Sequence, residues 1–182
     1  KVIEVAASGR ATFVTDEHAP YQHPGVLAAI RKLNVEFKPE TFIGGGDTCD
    51  FSSVSHHTED RPGYRENKRL INDLRSLRQL LDAQTNVPSI KKKILVDSNH
   101  HEWVTDYVMK NPALIGMMDW ETLSAEMFSD WDVLLRSAGD NKVVFFGDLA
   151  IRHGDKDGGV LKAEGMFQSG KYLCGHFHQF KT

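Results

Sequence analysis

Residues 41–50 read TFIGGGDTCD, an apolar run followed by three glycines and two carboxylates. The apolar start predicts a buried strand, and the glycines let the backbone turn sharply where that strand ends. The turn brings Asp47 and Asp50 into a shared space. Because glycine turns with a capping aspartate are common in α/β proteins, this stretch alone predicts a strand end and no activity.

The composition is typical of a soluble globular protein. The chain has 182 residues, of which 40% are hydrophobic and 26% are charged. This length suits one domain with a sizeable core, so we expect a single domain over residues 1–182. The chain begins with Lys1 and not with methionine, and we expect it to be a processed or excised piece of a longer protein.

Charge and cysteine content exclude several classes of protein. The net charge is only −3, which argues against a broad basic surface for binding nucleic acid. A local basic groove is still compatible with this charge. No apolar run reaches the roughly 18 residues of a membrane helix, so we expect no membrane partner. Cys49 and Cys174 fit neither a disulfide framework nor a zinc ribbon. Free cysteines favour a reducing compartment, and we expect a cytoplasmic protein. No pattern indicates the oligomeric state.

Strands and helices are predicted to alternate along the chain. The predicted strands cover residues 11–14, 41–43, 94–96, 143–146 and 172–174. Three predicted helices cover residues 64–83, 103–109 and 160–167. A fourth begins at Pro24 and has on one face Val26, Leu27, Ile30 and Leu33. A fifth begins near Leu123, continues at helical spacing through Met127, Trp131 and Leu134, and ends at Gly139. This alternation predicts an α/β fold with a mainly parallel sheet and right-handed crossovers.

Polar and ionisable residues cluster where the predicted strands end. The carboxyl ends of parallel strands meet at one edge of a sheet, where ligands bind. So many ionisable groups at one edge need a cation to offset their carboxylates, and we predict a metal centre there. Imidazole, carboxylate and amide oxygen without thiolate suit manganese, iron or zinc better than a closed structural zinc site. The residues at this edge are Asp16, His18, Asp47, Asp50, Asn99, His100, His153, His176 and His178.

Two pairs in this set are separated by one residue each, namely Asp16 with His18 and His176 with His178. Alternate residues of an extended chain point to the same side. We therefore expect each pair to present two ligands to one small volume.

The order of these residues resembles a known family, the calcineurin-like metallophosphoesterases. The matching motifs are Asp16-Glu17-His18, Gly46-Asp47-Thr48-Cys49-Asp50, Asn99-His100, His153-Gly154 and Gly175-His176-Phe177-His178, and they span nearly the whole chain. The resemblance implies a four-layer α/β/β/α sandwich with a two-metal centre at the sheet edge. Relatives add further strands after the position of His178, whereas this chain ends four residues later. A second sheet that lacks some of these strands is therefore an alternative.

The resemblance also implies a role for each residue of the centre. Asp16, His18 and His178 would hold one divalent metal ion, Asn99, His153 and His176 would hold a second, and Asp47 would bridge the two. Manganese is favoured, with iron or zinc as alternatives. His100 would be the general acid or would contact the phosphate, and Asp50 would orient its imidazole. The family has glycine where Ser98 stands and an acidic residue where His101 stands, so His101 remains an alternative to His100.

The activity implied by the resemblance is hydrolysis of phosphoesters by a water activated between two metal ions. The protein phosphatase branch places Arg-Gly directly after the position of Asp50, whereas Phe51 and Ser52 stand here, so we expect a phosphodiesterase or nuclease acting on nucleic acid or nucleotides. The resemblance extends to DNA-repair-type and phage-encoded members. A phosphomonoesterase for a small molecule or protein, and a non-catalytic scaffold that retains the fold, are the alternatives. The loop after Asp50, with His56, His57, Arg61 and Arg65, either contacts the phosphate or is a solvated surface.

Overall fold

The structure, a computed structural model, describes residues 2–5, 9–135, 143–154 and 171–176. It contains eight strands: β1 (Val2–Val5), β2 (Ala11–Val14), β3 (Thr41–Gly44), β4 (Lys92–Val96), β5 (Asp132–Leu134), β6 (Val143–Phe146), β7 (Leu149–Arg152) and β8 (Tyr172–Cys174). Its α-helices are α1 (Pro24–Phe37), α2 (Leu70–Thr85), α3 (Asn99–Met109) and α4 (Trp120–Met127). Short 3-10 turns lie at His56–Thr58, Pro62–Arg65 and Pro112–Leu114.

Four strands form a fully parallel sheet in the order β2-β3-β4-β5. Because right-handed crossovers join neighbouring parallel strands taken in chain order, the connecting helices all lie on one face of this sheet. The carboxyl ends of β2, β3 and β4 therefore point to the same edge. The loops after β2 and β3 and the start of α3 after β4 carry most of the predicted site residues.

The second sheet has the order β1-β6-β7-β8. Strand β1 pairs in parallel with β6, the hairpin β6–β7 is antiparallel, and β7 pairs in parallel with β8. Ile43, Ile94, Val96 and Leu134 of the parallel sheet form one buried cluster with Val144 and Ile151 of this sheet. The two sheets thus pack face to face.

A larger cluster fills the space between the parallel sheet and its helices. Phe42 and Leu95 from the sheet pack with Leu74, Leu77 and Val104 from α2 and α3. Side chains alternate between the two faces of β3, so its residues contribute to both clusters. Phe42 faces the helices and Ile43 faces the second sheet. The structure thus confirms a mixed α/β fold with a parallel sheet.

Several predicted helix boundaries were wrong. The predicted helix over residues 64–83 begins only at Leu70, because Pro62–Arg65 forms a separate 3-10 turn. The predicted helix through Trp131 and Leu134 stops at Met127, and residues 132–134 form β5. Leu134 pairs with Val96 and lies between the sheets, so tertiary pairing overrides its helical spacing.

The predicted helix that begins at Pro24 is present, but its predicted inner face is largely exposed. Helix α1 begins at Pro24 as predicted, but Val26 and Leu33 on its expected inner face are 56% and 50% exposed, and its buried residue is Asn34. The predicted helix over residues 160–167 lies outside the described residues. Among the described residues, no helix is both long and apolar enough to cross a bilayer.

Candidate metal centre

The loops after β2 and β3 run side by side beyond the end of the sheet. Gly45 N–H donates to the Val14 carbonyl oxygen at 2.6 Å, and Asp16 N–H donates to Gly46 O at 3.1 Å. His18 N–H continues the series with a 2.9 Å bond to Asp47 O. Backbone pairing therefore brings Asp16 and His18 alongside Asp47.

Four of the predicted metal ligands have left-handed backbone conformations. The φ angles are 58° for Asp16, 51° for His18, 47° for Asp47 and 77° for His176. Residues other than glycine adopt this region at an energetic cost, and such residues concentrate at functional sites. The prediction that Asp16, His18 and His176 lie on extended backbone was therefore wrong, although Asp16 and His18 do lie at the same site.

Glu17, between these two ligands, is partly buried. Its Oε1 accepts a 2.6 Å hydrogen bond from Gln84 Nε2 on α2, and burial raises the pKa of Glu17 to about 7. Glu17 thus ties the ligand-bearing loop to α2. This anchor was not predicted from the sequence, because nothing in the local pattern connects Glu17 with Gln84.

Asp47 is the centre of the cluster and is only 2% exposed. Its Oδ2 lies 3.2 Å from His153 Nε2, 3.9 Å from His100 Nε2 and 3.9 Å from His176 Nδ1. Burial opposes ionisation of this carboxyl, but the imidazoles of His153 and His100 outweigh it and lower the pKa of Asp47. Asp47 is accordingly a carboxylate at neutral pH.

Two groups of potential ligands share the Asp47 carboxylate. One group comprises Asp16, His18 and Asp47, and the other comprises Asp47, His153 and His176. Within each group, one ligand atom per residue lies within 4.8 Å of the others. Asp47 is thus common to both groups, and the predicted partition of ligands between two ions stays a prediction.

Several buried polar atoms among the described residues make no hydrogen bond, and some of them lie on predicted metal ligands. These include Asp47 Oδ1, Asn99 Oδ1 and His153 Nε2. His153 Nδ1 donates to Gly45 O at 3.0 Å, which directs Nε2 towards Asp47. A buried polar atom without a partner is costly, and carboxylate, amide and imidazole groups can all bind a divalent cation. The side chains present therefore fit a metal.

The carboxylate of Asp16 is held by two donors. Thr15 Oγ1 donates to Oδ2 at 2.8 Å, and the backbone N–H of His176 donates to Oδ1 at 2.8 Å. The second bond joins the end of β8 to the end of β2. The site consequently lies where the edges of the two sheets meet, and Thr15 is a support that the sequence analysis did not identify.

Helix α3 begins at Asn99, four residues earlier than predicted, and this separates the roles of the two adjacent histidines. His101 is fully buried, and its Nδ1 accepts from Ser98 N–H at 3.2 Å, which caps the helix. Its ring packs against Phe51 and Trp120, and burial lowers the pKa of His101 to about 3. The structure places His100, and not His101, beside Asp47.

Asp50 differs from its predicted arrangement. The Nδ1–H of His100 donates to the backbone carbonyl oxygen of Asp50 at 2.8 Å, not to its carboxylate. The Asp50 carboxylate instead lies 3.6 Å from His18 Nδ1 and raises the pKa of His18. The His100 ring also packs on the indole of Trp103, with centroids 3.9 Å apart, so two contacts fix its orientation.

Two remaining residues complete the description of the predicted site. His178 lies outside the described residues. Cys49 is buried, its Sγ lies 3.4 Å from Ala19 O, and burial raises the pKa of its thiol far above the ordinary value. Cys49 is therefore a protonated core residue and not a thiolate ligand.

Comparison of the chain with protein-family models, with curated proteins and with solved structures gives no match.

Proposed function

We propose that this protein is a metal-dependent phosphoesterase of the calcineurin-like metallophosphoesterase type, with a four-layer α/β/β/α sandwich. The observation that carries the proposal is the position of Asp47. This buried carboxylate belongs to both ligand groups, and atoms on Asp47, Asn99 and His153 are buried without hydrogen bonds. A carboxylate shared between two sets of ligands is the arrangement that a pair of divalent ions requires.

The residues divide between two ions. Asp16, His18 and Asp47 would hold the first, with His178 as the fourth ligand implied by the motif. Asp47, Asn99, His153 and His176 would hold the second. Oxygen and imidazole ligands without thiolate favour manganese, with iron or zinc as alternatives.

The chemistry divides between the ions and the chain. When bound, two divalent cations supply positive charge that offsets phosphate oxygens and lowers the pKa of a nearby water. His100 acts in proton transfer through its Nε2, because its Nδ1–H donates a hydrogen bond to the Asp50 carbonyl oxygen. Trp103 limits rotation of the His100 ring, and Asp50 holds His18 through its carboxylate.

A phosphodiester is the favoured substrate. Phe51 stands where the protein phosphatase branch has arginine, and its fully buried ring packs on His101 and Trp120. No cationic side chain can therefore reach the phosphate from this position. A nucleic acid or nucleotide is the proposed substrate, and a phosphomonoester is the alternative.

Paired synthetic substrates test this function. Manganese-loaded protein should hydrolyse bis(4-nitrophenyl) phosphate faster than 4-nitrophenyl phosphate. Hydrolysis of the monoester alone would contradict the assignment to diesters. Failure to bind stoichiometric metal, together with no hydrolysis of either compound, would favour a non-catalytic scaffold.

A further inference from the structure

Two exposed tyrosines flank one lysine on the surface beside the candidate metal centre. Lys68 Nζ lies 5.9 Å from the ring centroid of Tyr21 and 5.7 Å from that of Tyr64. The tyrosines are 60% and 62% exposed, which makes them the most exposed aromatic side chains among the described residues. Tyr21 and Tyr64 are 43 positions apart in the chain, so only folding reveals this group.

The group is attached to both loops that carry the centre. Tyr21 N–H donates to the backbone carbonyl oxygen of His18 at 2.8 Å, which places it one tight turn from a candidate ligand. Lys68 Nζ donates to Ser52 Oγ at 3.1 Å, and Ser52 lies two residues after Asp50. A ligand bound to these side chains would therefore lie next to the loops that carry the centre.

The surface near the two tyrosines is slightly basic although the whole chain is slightly acidic. Residues 59–69 carry four cations, Arg61, Arg65, Lys68 and Arg69, and three acidic residues, Glu59, Asp60 and Glu66. Arg65 is occupied by Ser55 and Thr58 of its own loop, whereas the Lys68 ammonium lies between two exposed rings. A cation with aromatic faces on either side is complementary to a phosphate with a base on either side.

We propose that Tyr21, Lys68 and Tyr64 form a binding site for single-stranded nucleic acid, with the tyrosines stacking on bases and the lysine contacting the phosphate between them. Duplex DNA is disfavoured because its base faces are covered by stacking and only its base edges are exposed. A mononucleotide could occupy only one of the two rings. The inference rests on the proposed function, since it names the substrate that would enter the same centre.

The test measures binding without hydrolysis. A fluorescein-labelled oligothymidylate of about 12 nucleotides is titrated with full-length protein in EDTA, so that the result does not depend on catalysis. Tyr21→Leu and Tyr64→Leu should each weaken binding about 5- to 100-fold, while Tyr64→Phe should retain it because the ring is kept. Lys68→Met should reduce the magnitude of the slope of log affinity against log salt concentration by about 0.7, because one phosphate contact is lost.

The chain offers a matched control at the other edge of the sheet. Phe37 is 40% exposed, and Arg10 lies 5.8 Å from its ring centroid. Phe37 is the last residue of α1, just before the amino end of β3. Phe37→Leu should bind the oligonucleotide as wild type does. Absence of saturable binding by wild type, wild-type affinity in both Tyr21→Leu and Tyr64→Leu, or tighter binding of duplex or of thymidine monophosphate would overturn the proposal. Loss of nitrophenyl ester hydrolysis with intact oligonucleotide binding would instead count against the proposed function alone.

Discussion

His153 Nε2 lies 3.2 Å from Asp47 Oδ2, and the Nδ1–H of the same ring donates to Gly45 O at 3.0 Å. The bond to Gly45 therefore directs the second ring nitrogen at a buried carboxylate. A divalent cation at this position would be bound by both side chains. The contact therefore links the fold of the 41–50 stretch with metal binding.

Asp47→Asn should impair binding of both ions, because the amide retains the size of the side chain and loses the shared charge. In wild type, manganese at about 100 times its dissociation constant should stabilise the fold by about 3 kcal/mol per ion, or roughly 10–20 °C for two ions in a chain of this length. The variant should lose most of this shift in a thermal melt, and metal analysis after gel filtration should show both ions reduced. Asp132→Asn, an exposed position on β5, is the control and should shift as wild type does. Retention of two ions by Asp47→Asn would contradict the bridging role.

His100→Ala should retain metal and lose turnover. The His100 imidazole lies outside the two ligand groups that share Asp47, although it forms a third group of potential ligands with His18 and Asp50. Its proposed task is proton transfer at Nε2, which lies 3.9 Å from Asp47 Oδ2. Removing a general acid or base lowers kcat by about 100- to 10,000-fold. The measurement is kcat on bis(4-nitrophenyl) phosphate with metal content determined on the same sample. A parallel loss of metal would instead identify His100 as a ligand.

Much of the fold was predictable because its strands are short, apolar and bounded by turn residues. The strands at residues 11–14, 41–44 and 143–146 could be located in this way. Strand β5 could not, since Trp131 and Leu134 fit a helical period and only pairing with β4 makes residues 132–134 extended. Sequence patterns report local preference, whereas this strand depends on a distant partner.

The candidate site was predictable from residue type and order more than from backbone geometry. Asp16 and His18 were expected on extended backbone and instead adopt left-handed conformations. The choice between His100 and His101 depended on where α3 begins, which local spacing did not reveal. Once Ser98 caps the helix with His101, helical geometry leaves His100 facing Asp47.

His101→Ala should destabilise the fold. The buried ring fills space between Phe51 and Trp120, and its Nδ1 accepts the Ser98 N–H at the start of α3. Loss of the cap and creation of a cavity should together lower the free energy of unfolding by about 2–4 kcal/mol, measured by urea denaturation in EDTA. His23→Ala is the matched control, since His23 also caps a helix through Nδ1 but is exposed, and it should cost about 1 kcal/mol or less. An equal effect of the two substitutions would show that burial of His101 contributes little.

Gly46→Ala should displace His153 from the centre. A Cβ at Gly46 would lie 2.5 Å from Cγ and Nδ1 of the His153 ring, and the φ of Gly46 is +95°. The new methyl group must therefore move the imidazole or strain the backbone, which costs more than about 1 kcal/mol. We expect lower stability and weaker manganese binding, measured by urea denaturation and by titration calorimetry. Gly63→Ala is the control, because no heavy atom lies within 4 Å of its added Cβ, and it should leave both quantities unchanged. Normal manganese affinity in Gly46→Ala would show that the close packing of this glycine against His153 is unnecessary for the metal centre.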